Sequence, residues 1–142
     1  MSRARRGSAG RQDVHDEDEG VLLAARRGPA LEELAAECER LRGEALAVPT
    51  DVSDAEAVQR LAEQAVGRFG RIDIWVNNAA VGVFSPFLDV PLEDFRRVMD
   101  VNVMGYVHGS RAALEQMQAQ GSGVIVNVSS VVGEIAQPYT SA

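Results

Sequence analysis

The chain has 142 residues, a net charge of −7 and 46% hydrophobic residues, which suits one domain and is too apolar for wholesale disorder. The acidic balance argues against nucleic acid as a partner. No apolar run approaches the roughly 18 residues of a membrane-spanning helix, and none follows the early arginines as a secretory leader would.

Residues 1–20 stand apart. Arg3, Arg5, Arg6 and Arg11 sit among small residues, and an acidic run of Asp13, Asp16, Glu17, Asp18 and Glu19 cancels them. Neither a helical nor a strand period is present, so this segment is expected to be a disordered or aberrant arm. From residue 21 the pattern becomes regular. Val21 to Ala25 reads as a buried strand. Pro29 opens a helix carrying Leu31, Leu34, Ala35, Cys38 and Leu41, and Gly43 ends it. Cys38, the single cysteine, excludes an intrachain disulfide and fits a reducing cytoplasm. Ala45 to Val48 is a second strand. Ser53 and Glu56 have capping-box spacing and start a helix with Val58, Leu61, Ala62, Ala65 and Val66 on one face. Ile72 to Val76 is a third strand. One long helix is expected from Pro91 to Met117, with Leu92, Phe95, Val98, Met99, Tyr106, Leu114 and Met117 inward. Val124 to Val128 is a fourth strand.

Strands alternating with helices mean a parallel sheet with right-handed crossovers, a doubly wound α/β architecture of Rossmann type. Its strands are apolar on both faces, as a sheet covered on both sides requires. In such sheets ligands bind beyond the carboxyl ends of the strands. Arg26 and Arg27 follow the first strand, Asp51 and Val52 the second, Asn77 to Ala80 the third, and Ser129 and Ser130 the fourth. No metal site is expected, and His15 and His108 have no companions that would give them a role.

Four of these segments together resemble the short-chain dehydrogenase/reductase family. Asn77-Asn78-Ala79-Ala80 is similar to that family's Asn-Asn-Ala-Gly motif, with alanine for the last glycine. Asp51-Val52 resembles its adenine-embracing pair, Val101-Asn102-Val103 its catalytic-asparagine segment, and Val126 to Gly133 its catalytic-serine strand and loop. The resemblance covers residues 21 to 142. It implies hydride transfer between NADP(H), or NAD(H), and a small-molecule carbonyl or secondary alcohol. Arg27, or its neighbour Arg26, would pair with a 2′-phosphate, the alternative being a solvated loop arginine. Asp51 would accept from the adenine amino group, or else cap the next helix. Asn78, with Ala79 and Ala80, would bridge strands or face the ribose. Asn102, which suits a helix interior poorly, would hold a relay water or be a satisfied polar residue between helix and sheet. Ser130 rather than Ser129 would orient the substrate oxygen, the alternative being a turn serine.

The resemblance also implies what the chain lacks. The family's glycine-rich turn and its strand have no match in Gly7-Ser8-Ala9-Gly10. That strand would lie between those at Val21–Ala25 and Ile72–Val76. The family's Tyr-x-x-x-Lys pair has no match either, because all fourteen basic residues are arginine. Tyr139 stands too close to Ser130 to be its tyrosine. The expectation is therefore a partial domain, truncated at both ends and inactive by itself. A non-catalytic nucleotide-binding or oligomerisation fragment, docking through the Pro91–Met117 helix, is the alternative. A receiver-like domain is disfavoured, since Asp51 is the only carboxylate at the strand ends.

Overall fold

The computed structural model describes residues 20–130. The arm at 1–19, the loop at Val131–Gly133 and Tyr139 lie outside the described residues.

The order is β1 (Gly20–Ala25), α1 (Gly28–Arg40), β2 (Glu44–Pro49), α2 (Ala55–Phe69), β3 (Ile74–Asn77), a short 3-10 turn (Phe87–Asp89), α3 (Leu92–Met99), a π-helical turn (Asp100–Met104), α4 (Gly105–Gln120) and β4 (Val124–Asn127). The strands pair in parallel as two two-stranded sheets. Leu22 stands opposite Leu46 in the first, and Trp75 opposite Ile125 in the second. This is the expected parallel α/β architecture, with a cleft between the two sheets. Ala24 and Ala25 of β1 line one wall, Trp75 to Asn77 of β3 the other, and Val58 and Leu61 of α2 lie between.

The core explains which helices hold the sheets. Val58, Ala62 and Ala65 of α2 recur on one helical face and meet Ala112, Ala113 and Met117 of α4, with Ile72 between them. Leu22, Trp75 and Ile125 pack against this cluster, so both sheets lean on the α2–α4 pair. Helix α1 covers β1 and β2. Alternation sends Ile74, Val76, Val124 and Val126 the other way, where they are exposed. The expectation of strands buried on both faces is therefore corrected: among the described residues, the β3–β4 pair is covered on one face only.

Three further expectations change. The cap of α2 is Asp54, whose carboxylate accepts from the N–H groups of Glu56 and Ala57. Ser53 cannot serve as the cap because its hydroxyl is held by Asp51, 2.7 Å away. The third strand begins at Ile74 rather than Ile72. Ile72 instead has its N–H and carbonyl taken by the side-chain amide of Gln120. The single Pro91–Met117 helix is interrupted by the π turn, and helicity runs on to Gln120, where Gly121 stops it at φ 78°. Of its expected inward residues, Val98 and Met117 are buried, whereas Leu92, Met99 and Leu114 are exposed. No helix among the described residues is long and apolar enough to cross a membrane.

Candidate functional site

The cleft opens at the carboxyl ends of β1, β2 and β3 and encloses about 610 Å³. It gathers Arg26, Arg27, Asp51, Val52, Asn78, Ala79 and Ala80, seven of the nine residues singled out from sequence. Two glycines bring α4 close enough to form its floor. A Cβ on Gly105 would come within 2.8 Å of Val52 Cγ2, and one on Gly109 would overlap the Asn77 carboxamide. Neither position has room for a side chain.

Asp51 is held by three hydrogen bonds at the cleft. Its Oδ1 accepts from the Ser53 N–H at 3.0 Å and the Ser53 hydroxyl at 2.7 Å. Its Oδ2 accepts from Arg97 Nη2 at 2.9 Å, while Arg97 Nη1 donates to Ser53 Oγ at 2.8 Å. The Ser53 hydroxyl bond, then the Ser53 N–H and Arg97, outweigh the cost of burial and hold this carboxyl down at about 2. The neighbouring Val52 carbonyl accepts from His108 Nδ1 at 3.0 Å, which puts the ring proton on that nitrogen.

Below the rim, Asn77 is buried and its carboxamide makes three side-chain hydrogen bonds. Its Oδ1 accepts from Trp75 Nε1, and its Nδ2 donates to Ser110 Oγ and Asn127 Oδ1. This fastens β3 to both α4 and β4 immediately beneath Asn78.

Asn102 and Ser130 stand apart from the cleft lining. The π turn aims Asn102 at the loop after β3, where its Oδ1 accepts from the Val81 N–H at 2.9 Å and its Nδ2 donates to the Val81 carbonyl at 2.8 Å. A carboxamide has two lone pairs and two N–H groups, so one of each remains. Turns of π type inside α-helices recur at functional sites. Ser130 is exposed and lies two residues past Val128. The Val128 carbonyl accepts from Tyr106 Oη at 2.7 Å, which ties the end of β4 to α4.

Arg97, Tyr106, His108 and the structural role of Asn77 were not visible from sequence. Arg97 gives no periodic signal, sitting between the half-buried Phe95 and the buried Val98. Gly105 and Gly109, two glycines four apart inside a helix, were the available clue to the close approach.

Residues 7–142 match the family model described as short chain dehydrogenase. An uncharacterized oxidoreductase of Bacillus subtilis (strain 168), YxnA, is 42% identical over 127 residues, 86% of this chain and 36% of the relative. A 7alpha-hydroxysteroid dehydrogenase of Escherichia coli (strain K12) is 33% identical over 114 residues, 80% of this chain and 44% of the relative. Among solved structures, an NAD+-bound xylitol dehydrogenase superposes with a TM-score of 0.82 at 36% identity, covering 86% of this chain and 47% of that one. The chain thus spans less than half the length of these relatives.

Proposed function

The chain belongs to the short-chain dehydrogenase family, and on that premise we propose that its cleft is the adenine-side half of a nicotinamide-dinucleotide site, used in the oxidation of a secondary alcohol or the reduction of a carbonyl. The observation that carries this is the convergence of Arg26, Arg27, Asp51 and Asn78 on one cleft at the strands' carboxyl ends.

The described residues fit part of such a cofactor. The remaining Oδ2 lone pair of Asp51 suits an amino group, with Val52 as an apolar wall. Arg26 and Arg27, both exposed at the rim, suit a 2′-phosphate, which favours NADP over NAD. Asn78, Ala79 and Ala80 offer small surfaces and one amide to a ribose. Among the described residues no glycine-rich strand-to-helix turn of the kind that cradles a pyrophosphate lines the cleft. When bound, the nicotinamide supplies or accepts a hydride. Ser130 donates its hydroxyl to the substrate oxygen, and Asn102 holds the Val81 loop while its spare lone pair and N–H order a relay water. Neither side chain titrates near neutral pH, so neither is the acid/base. The 142 residues contain no lysine to lower a tyrosine's pKa, and arginine is a poor substitute for its compact ammonium. These 142 residues thus supply binding and orienting groups, and the acid/base is not among the side chains assigned here. Positioned acid/base catalysis alone is worth roughly 10²–10⁴-fold.

The exposed row of Met99, Val103, Met104, Val107 and Leu114 favours a second role for the α3–α4 region as a contact between copies. A cytoplasmic setting, small-molecule substrates and no nucleic-acid or membrane partner complete the proposal.

The test assays the purified chain with NADPH and a panel of ketones. A version extended by a glycine-rich strand–turn and a Tyr-x-x-x-Lys segment is assayed beside it. No turnover by the first and turnover by the second is expected. Turnover by the unextended chain that Ser130→Ala abolishes would refute the assignment of the acid/base.

A further inference from the structure

The Asp51 carboxylate raises a question that its place in the cleft does not answer: what fixes which of its lone pairs a ligand meets. A carboxylate has about four acceptor sites. Three are occupied here, two on Oδ1 by Ser53 and one on Oδ2 by Arg97. The donors form a closed ring. Arg97 Nη1 donates to Ser53 Oγ, Ser53 Oγ donates to Asp51 Oδ1, and Arg97 Nη2 donates to Asp51 Oδ2. The guanidinium fork is planar and rigid; Nη2 bonds Oδ2 directly and Nη1 holds the serine hydroxyl that bonds Oδ1, so the ring as a whole sets the plane of the carboxylate, which the single direct bond would not. The side chains of Arg97 and Asp51 remain 36% and 37% exposed, and both residues line the cleft. One acceptor site on Oδ2 is thus left over in a fixed direction and within reach of a ligand.

We infer that Arg97 is a positioning residue for base selection: through Ser53 it locks the Asp51 carboxylate so that one Oδ2 lone pair accepts the exocyclic amine of an adenine ring and repels a ring carrying a carbonyl there. The inference deepens the dinucleotide reading and rests on it. Arg97 comes from α3 and Asp51 from the loop after β2, so the same bonds also strap α3 to the β1–β2 half of the molecule. A strap alone would be indifferent to the base, and this separates the two roles.

The test measures binding of AMP and IMP to the full chain, which differ at the exocyclic position. Quenching of Trp75, the only tryptophan, is the readout. Wild type is expected to prefer AMP by about tenfold, the worth of one charge-assisted hydrogen bond. Arg97→Met should erase most of that preference. Arg97→Lys keeps the charge and the attachment of α3 but cannot hold Ser53 and Asp51 together, and it should keep only part of the preference. It also serves as the informative variant if the methionine variant does not fold. Asp51→Asn should abolish the preference outright. If Asp51→Asn loses the preference while Arg97→Met, or in its place Arg97→Lys, retains it in full, Arg97 is only a strap and the inference fails. If wild type shows no preference, or Asp51→Asn retains it, the reading of Asp51 fails first, whatever Arg97 does.

Discussion

The two helical glycines Gly67 and Gly109 make opposite predictions for one substitution. Gly67 lies in α2 with nothing within 4 Å of a would-be Cβ. Gly67→Ala should therefore stabilise by about 0.5–1 kcal/mol, the ordinary helical advantage of alanine. Gly109 has the same backbone preference but faces the Asn77 carboxamide and the Trp75 indole N–H. Asn77 is held by three partners and is 7% exposed, so it cannot swing aside. Overpacking costs about 1–3 kcal/mol. Disturbing the half-buried Trp75–Asn77 bond adds about 1 kcal/mol. Subtracting the alanine advantage leaves a net loss near 2 kcal/mol. Urea midpoints at fixed m-value measure both changes. Gly109→Ala as stable as Gly67→Ala would mean that α4 does not approach β3 as described.

Two further outcomes follow from the same geometry. Asp51 is held near 2 against an ordinary 3.8, so its ionised form stabilises the fold fully above pH ~4, and that contribution is lost as pH falls toward 2. After screening of a pair about a third exposed, the loss is about 1 kcal/mol, and Asp51→Asn should flatten that part of the urea-midpoint profile. An unchanged slope in the variant would remove Asp51 from the account. Because the cleft-facing edges of β1 and β3 have no strand partner among the described residues, and Ile74 and Val76 are exposed, the polypeptide should associate with rising concentration. Sedimentation showing a monomer with a sharp cooperative melt would contradict this.

Much of the architecture was legible because periodicity reports it directly. The apolar runs at Val21 and Ala45 and the helical face of Val58, Leu61, Ala62 and Ala65 name their elements without tertiary information. The boundaries that failed did so where a side chain captured the backbone. Gln120 took the Ile72 amide that a strand would have used, and Asp51 took the hydroxyl that made Ser53 look like a cap. The π turn was illegible because sequence spacing does not show where an extra residue turns the downstream face by about 100°, which is why Leu114, expected inward, is exposed; Asn102, a poor helix former, marked the place. The cleft residues could be read from strand ends, since topology fixes where those point. Arg97 could not, since its partners Asp51 and Ser53 lie more than forty residues away in the chain.

The most direct measurement is titration of the chain with NADPH and NADH, followed by energy transfer from Trp75, which lines the cleft. Saturable binding is expected, tighter for NADPH. Replacing Arg26 and Arg27 together by alanine should weaken NADPH by about 1–3 kcal/mol and NADH far less. Binding of neither nucleotide, or an equal loss for both in the double variant, would contradict the claim that this cleft holds the adenine half of a phosphorylated dinucleotide.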